Sequence, residues 1–489
     1  MFSPEDNLSY NVRHKLFIDG AWVSGGLDRR VSLVNPATEK VQIELPLASN
    51  KNIDNAVAAA RHAFDHGPWP RMPANVRADY IQRLTDALSD RAQLMADLWT
   101  FQVGAPISLT SALANVGVAR IGYYANLARQ YAFEETRPTQ RGTARIRREA
   151  VGVAVLIVPW NATFPILAQK LGAALAAGCT CVIKSSPESP LEALIFAECA
   201  VIAGFPPGVI NVVTADRDES IHLVESKDID KISFTGSFVA GSQIAATAAR
   251  KMNRFTMELG GKSAAILLDD ADLEQVLPVL GPLSMPFSGQ FCFAQSRIIV
   301  PFSRKDEVVA RYSETARSLV VGDPWSKATQ IGPVLNRRQQ DRIQGFIQSG
   351  IDQGARVTAG GNQDDASRRG FFIEPTVFDA VTPDMAIARE EIFGPVVTIQ
   401  GYETIEQAIS LANGTDLGLS GMVFSQNVEK AYEVACQIRT GQVGINGLDQ
   451  SPALPFGGYK MSGTGREGGP EGLEAFLETK AIMMPALAE

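Results

Sequence analysis

The chain is predicted to be an α/β protein built on parallel sheets, and three observations carry that expectation. From Val151 onward, short apolar runs alternate with helical stretches. Strands are expected at Val153–Val158, Cys179–Lys184, Val209–Val213, Ile229–Phe234 and Phe255–Glu258, separated by helices at Phe164–Ala177, Leu191–Ala203, Ser220–Glu225 and Ser237–Arg250. Such alternation means right-handed βαβ crossovers and a sheet covered by helices on both faces. After Gly260-Gly261 a second α/β series begins, with strands expected at Ala264–Leu268, Arg297–Val300, 355–358, 396–400, 419–424 and 442–446. Finally, 489 residues exceed what one ordinary core holds, so two or three domains are expected.

The elements before Val151 follow from local pattern. Residues 16–23, LFIDGAWV, read as a hairpin turning at Asp19-Gly20, a favoured turn pair. Asn35-Pro36 marks a loop. Ile53, Val57, Ala60 and Phe64 recur at helical spacing, as do Tyr80, Leu84, Leu88, Leu94 and Leu98 in a region expected to be helical from Ala74 to Phe101. Another helix is expected from about Ile107 to Tyr131. Residues 139–150, TQRGTARIRREA, are basic and alternating and read as a two-stranded ribbon, either a solvated face or an arm adding strands to a neighbouring subunit. The tail 455–469 is expected to be loop, followed by a helix and a final strand.

Composition excludes several classes. The net charge of −8 argues against nucleic acid as a partner, since phosphate binding needs a basic face. No apolar run reaches the eighteen residues of a membrane span, and the polar N-terminus lacks a secretory h-region. Five sparsely placed cysteines do not form a disulfide framework, which points to a reducing cytoplasm. Four histidines that do not cluster with them argue against a metal site.

Two literal motif matches fail on context. Gly463–Gly468 fits GxGxxG but neither follows a strand nor opens a βαβ helix. Gly261-Lys262-Ser263 resembles the end of a phosphate loop, yet Thr256 stands where the first glycine belongs. The informative residues sit at strand ends, where parallel sheets bind ligands. Asn161 is a turn former or an amide for an oxyanion. Lys184 is a solvated lysine or a ribose or phosphate ligand. Gly236 and Ser237 open a helix, as an ordinary N-cap or as a phosphate site. Glu258 is an exposed strand-end acid or a general base. Cys292, within SGQFCFAQSR (288–297), is a packed thiol or a nucleophile.

Taken together, Pro159-Trp160-Asn161, the Lys184 strand end, GFPPGVINVV (204–213), FTGS (234–237), MELGGKS (257–263), GQFC (289–292), EEIFGP (390–395) and PFGGYKMSG (455–463) resemble, in this order, the motif set of the aldehyde dehydrogenase superfamily. The likeness is to its NAD(P)-dependent, non-CoA-acylating branch and covers nearly the whole chain. It implies a Rossmann-like cofactor domain (1–130 and 151–258), an α/β catalytic domain (259–447) and a small β oligomerisation arm (131–150 and 448–489). The basic ribbon and the C-terminal segment would pair between subunits, giving a homodimer or homotetramer. By the same resemblance Cys292 is the nucleophile, Asn161 and the Cys292 N–H hold the oxyanion, and Glu258 activates the hydrolytic water. Lys184 and Glu391 hold ribose hydroxyls, Gly236 and Ser237 lie against the pyrophosphate, and Trp160 and Phe393 position the cofactor, NAD or NADP.

The chain departs from the family pattern in two places. Where many NAD-preferring members carry a ribose-binding Glu, it has Pro187, with Glu188 one position later, so NADP use stays open. Phe287 replaces a common Asn and, with Phe291 and Phe293, suggests an apolar entrance, while Ala162 leaves room beside Asn161. The expected substrate is therefore a hydrophobic aliphatic or aromatic aldehyde rather than a charged one such as betaine aldehyde. A CoA-acylating semialdehyde dehydrogenase is the alternative within the fold, and Glu258 argues against it. A cysteine hydrolase lacks a histidine in any motif context.

Overall fold

Strands buried on both faces read as unbroken apolar runs, and the central strands here do so because helices cover them on either side. The computed structural model describes residues 2–26, 29–361 and 369–485. Its parallel strands, numbered in chain order, begin with β1 (Val153–Ile157), β2 (Thr180–Ser185), β3 (Ile210–Thr214), β4 (Lys231–Thr235) and β5 (Arg254–Glu258). They lie in the order 3-2-1-4-5, with the hairpin Leu16–Ile18/Ala21–Val23 beyond β3 and Gly463–Thr464 beyond β5. The chain therefore leaves β1 in one direction and returns to β4 in the other. That reversal opens a crevice at the carboxyl ends of β1 and β4, the place where open α/β sheets bind ligands. The hairpin turns as expected, through left-handed Asp19 and Gly20.

The second sheet holds β6 (Ala264–Leu267), β7 (Arg297–Pro301), β8 (Thr376–Asp379), β9 (Val396–Tyr402), β10 (Ser420–Phe424) and β11 (Gln442–Ile445), in the order 8-9-7-6-10-11. Arg356–Ala359 adds an antiparallel edge beside β8.

Three sequence expectations need correction. The region 74–101 is two helices, Ala74–Ser89 and Ala92–Val103, because the chain turns at Asp90-Arg91. Ser89 and Asp90 are short polar residues that favour such breaks over continued helix. The basic stretch is not itself a ribbon: Gly142–Ala150 is one strand, with Glu134–Thr139 on one side. On its other side it pairs along its whole length with Leu477–Pro485 of the same chain. The ribbon and the C-terminal segment thus pair within the chain, making a three-stranded sheet. The hairpin Arg30–Val34/Val41–Pro46, β8 and the helix Ile405–Asn413 were not anticipated.

The helix Thr163–Ala177 is buried on every side but for Ile166. Glycines let its neighbour Ile107–Gln130 approach: a Cβ on Gly172 would lie 2.8 Å from the Tyr124 ring, and one on Gly117 would lie 2.8 Å from Phe164. A buried acid ties two further helices together. Glu192, fully buried, accepts from Gln102 Nε2, while Gln102 Oε1 accepts the Leu191 N–H at 2.9 Å. Burial pushes the Glu192 carboxyl up to about 8. Its folded-state pKa exceeds the unfolded value, so the folded chain holds the extra proton between roughly pH 4.5 and 8. This group's contribution to stability is therefore intact at the acid end and declines as pH rises across that window. Glu192→Gln is expected to flatten that part of the decline, seen as a smaller fall in melting temperature between pH 5 and 8 than in the parent protein.

Candidate active site

Cys292 is delivered by a loop that the backbone adopts only under constraint. Phe287, Ser288 and Gly289 have φ of 47°, 56° and 75°, three left-handed residues in a row. For the two non-glycine residues this costs about 1 kcal/mol each, so neighbouring structure must hold them. Ser288 Oγ donates to the Gly332 carbonyl at 2.7 Å. Gln290, fully buried, donates to the Phe287 carbonyl at 3.2 Å and accepts the Leu335 N–H at 3.0 Å. At Gly289 a Cβ would stand 2.0 Å from the Gly394 carbonyl oxygen, which packs the EEIFGP segment directly against the loop.

Glu258 ends β5 and is buried, not the exposed acid that one reading allowed. The two glycines after its neighbour Leu259 explain how other groups reach it. A Cβ on Gly260 would lie 2.3 Å from Glu391 Oε2, and one on Gly261 would lie 2.2 Å from the Cys292 carbonyl oxygen. The Gly261 N–H donates to Glu391 Oε1 at 3.0 Å. Asn161, just beyond β1, is buried and donates from Nδ2 to the Gln290 carbonyl at 2.8 Å. One amide hydrogen is so engaged, and the other is free to serve a ligand.

Burial raises the Glu258 carboxyl well above the usual carboxylate range, and the Glu467 charge adds to this, while Lys170 and the thiol of Cys292 oppose it. Cys292 is raised too, by burial first and then by the charges of Glu258 and Glu391. Both shifts have one direction: in this dry site each group holds its proton more tightly than in water.

Two openings meet at this pair. One is a largely apolar channel lined by Trp99, Leu113, Val116, Ala162, Phe291 and Phe293 among others. The other is a groove lined by Trp160, Gly236, Ser237, Glu391 and Phe393. Asn161, Ile166, Thr235, Glu258 and Cys292 belong to both walls. Trp160 and Phe393 meet edge to face at 5.7 Å. The groove continues through Ser237 and Val239 to Lys184, Arg217 and Gln243. Ser237 caps the 13-residue helix Phe238–Arg250, accepting the Ala240 N–H. Burial lowers the Lys184 pKa, with Glu188 and Asp216 opposing it. The Glu188 carboxylate accepts from Ser186 Oγ, and the groove wall is formed by Lys184 and not by Glu188.

The expected phenylalanine entrance is revised. Phe291 and Phe293 stack at 5.2 Å and line the channel. Phe287 does not line it, because the left-handed turn packs it into a core with Trp99, Val103 and Leu335, against Trp160.

Sequence reasoning missed Lys170 and Glu467. Lys170, buried in the helix Thr163–Ala177, donates to Ser233 Oγ at 2.9 Å and pairs with Glu467. A lone lysine in an otherwise apolar helix was the available signal. Glu467 lies inside the rejected GxGxxG match, whose Gly463 pairs with Glu258 as a strand edge. That match is a packing element and not a phosphate loop.

A doubly wound sheet with a crevice at its switch point, joined to an apolar channel at a thiol and an acid, defines a two-substrate α/β enzyme. The chain belongs to the aldehyde dehydrogenase family, whose model matches residues 22–482, and it is an aldehyde dehydrogenase. It is 40% identical over 471 residues to the geranial dehydrogenase of Castellaniella defragrans, covering 96% of this chain and 98% of that one. An aldehyde dehydrogenase from Mycobacterium tuberculosis, solved with NAD+, superposes with a TM-score of 0.95 at 40% identity, covering 97% of this chain and 99% of that one. A mutant of aldehyde dehydrogenase C from Pseudomonas syringae, solved with NAD+ and octanal, gives 0.93 at 40% identity, covering 98% and 99%.

Gly289→Ala is expected to force the loop away from Gly394, at a cost of about 2–4 kcal/mol. The check is a lowered urea midpoint together with lost aldehyde oxidation.

Proposed function

We propose that Cys292 attacks the aldehyde carbonyl, that Asn161 and the Cys292 N–H hold the oxyanion, and that Glu258 activates the water that releases the acid. The observation carrying this reading is the placement of Cys292, Glu258 and Asn161 on the wall common to channel and groove. As the substrate arrives, the thiol gives its proton to solvent, and the thiolate forms a C–S bond to the carbonyl carbon. The charge that moves to oxygen faces the second hydrogen of the Asn161 amide, whose first hydrogen is fixed on Gln290. A nicotinamide dinucleotide, bound in the groove, supplies the acceptor for the hydride that the thiohemiacetal carbon gives up. The thioester left on Cys292 is cleaved by water: Glu258 takes the water proton, oxygen bonds to the acyl carbon, and Cys292 leaves as thiolate.

The groove suits such a cofactor. Glu391 and Lys184 offer partners for ribose hydroxyls, and the helix starting at Ser237 presents its positive end to phosphate. Trp160 and Phe393 wall the nicotinamide end. NAD is the cofactor favoured by the NAD+ complexes of the related structures. NADP is the second reading, since Pro187 brings no carboxylate to repel a 2′-phosphate and Arg217 joins Lys184 in the groove. Glu188, bonded to Ser186, acts on that site through its charge beside Lys184.

The division into a cofactor unit (1–130, 151–258), a catalytic unit (259–447) and an oligomerisation arm (131–150, 448–489) is supported by the two parallel sheets and the separate three-stranded one. We read the protein as a cytoplasmic homodimer or homotetramer. The five free cysteines and the open edges of that small sheet favour this. The apolar channel favours a hydrophobic aldehyde, aliphatic or aromatic, in keeping with the octanal bound by the Pseudomonas syringae mutant.

Cys292→Ala is expected to abolish aldehyde-dependent NAD(P)H formation, followed by absorbance. Glu258→Gln should still release a burst approaching one reduced cofactor per site, then turn over about 10²–10⁴-fold more slowly. Ordinary turnover by the Cys292 variant would end the mechanism, and stimulation by coenzyme A would favour the acylating alternative. Because the Glu258 carboxyl is raised, the rate of turnover after the burst, which follows thioester hydrolysis, should fall with falling pH along a limb above the usual carboxylate range. Hexanal and benzaldehyde should outperform betaine aldehyde.

A further inference from the structure

The aldehyde channel carries one cation among its lining residues, and the reaction as derived does not use it. Arg120 projects from the helix Ile107–Gln130 into a wall otherwise made largely of Trp99, Leu113, Val116, Ile166 and Phe456. A guanidinium has five N–H donors in a planar fork. Here Nη1 reaches the Pro165 carbonyl at 3.2 Å and Nη2 the Gln450 side-chain oxygen at 3.3 Å, both long bonds to neutral acceptors. Nε is buried without a partner. Among the described residues no carboxylate lies within ion-pair distance of it: of the channel's two acids, Glu467 offsets part of the burial of Arg120 through its charge but is paired with Lys170, and Glu258 lies beside Cys292 on the wall shared with the groove. A charge placed in an apolar wall without a counter-ion is costly unless a ligand supplies one.

We propose that Arg120, with Gln450, forms a hydrogen-bond donor site for a carboxylate at the far end of the substrate. The preferred substrates are then aldehydes with an apolar body ending in a carboxylate: long ω-oxo acids or formyl-substituted aromatic acids. This rests on the aldehyde oxidation proposed above and refines it. The apolar channel holds the body, Arg120 neutralises the terminal charge, and Gln450 orients the fork by occupying one of its donors. A cationic end group meets the same guanidinium and is repelled, which separates this site from one for trimethylammonium aldehydes.

The test measures kcat/KM with NAD for ω-oxo acids of four to ten carbons beside the matching alkanals. A second set compares 4-formylbenzoate, its methyl ester and benzaldehyde. The parent protein should favour the acid over the matched neutral aldehyde by about tenfold or more at the best chain length, as a charge-assisted hydrogen bond provides. Arg120→Leu should bring the ratio to about one, Arg120→Lys should keep part of it, and Gln450→Leu should lower it several-fold. Gln450 sits on a loop, so its variant tests the idea even if Arg120→Leu fails to fold. A parent ratio of one or less, an equal rate for the methyl ester, or an unchanged ratio in the Arg120 and Gln450 variants would overturn the proposal. Absence of cofactor reduction with every aldehyde would instead overturn the assigned reaction.

Discussion

The structure turns on how closely three chain segments approach the end of β5. Gly260 and Gly261 present bare backbone there, with Glu391 against one and the Cys292 carbonyl against the other, at separations no side chain permits. The tail closes the fourth side: Ser462 Oγ donates to the Gly260 carbonyl at 2.6 Å and accepts the Gly418 N–H at 2.8 Å. Residues about 30, 130 and 200 positions away in the chain are thereby fixed on one point. Because that point joins the two parallel sheets, any error in how the sheets sit would be felt first at Glu258 and Cys292. A catalytic constellation must be held to a fraction of an ångström, and backbone contact is stiffer than side-chain contact.

Much of the fold was legible because parallel strands and their crossovers are local patterns. Every strand from β1 to β5 was expected within two residues of its place, since a fully buried strand and a following helix each leave a plain apolar signature. The misses have different causes. The break at Asp90-Arg91 rests on short polar residues that the apolar pattern runs straight through, and the pairing of Gly142–Ala150 with Leu477–Pro485 is a tertiary contact of which a local pattern says nothing. β8, Thr376–Asp379, is only four residues long, too short for a period to show.

The site divides in the same way. Asn161, Ser237 and Glu258 were legible because parallel sheets put ligands at strand ends, and their roles came from the resemblance of whole motifs. The aromatic residues around Cys292 were read only by type. Phe287, Phe291 and Phe293 are alike in sequence, yet a left-handed turn buries the first and leaves the other two on the channel. Lys170, Glu467 and Arg120 gave no motif at all, because each acquires its meaning from a partner more than 40 residues away.

The electrostatics follow from burial more than from pairing. Glu258, Cys292 and Glu391 are all raised by desolvation, so placing them together would stack three charges in a dry site if each ionised. Acidic groups in such proximity share protons instead of losing them independently. Each group therefore holds its proton more tightly than in water, which spares the fold an uncompensated charge. Lys170 then limits the rise at Glu258. The proton affinity of the Glu258 carboxyl is thus set by burial and by the opposed charges of Glu467 and Lys170, which pair with each other while Lys170 also donates to Ser233 of β4.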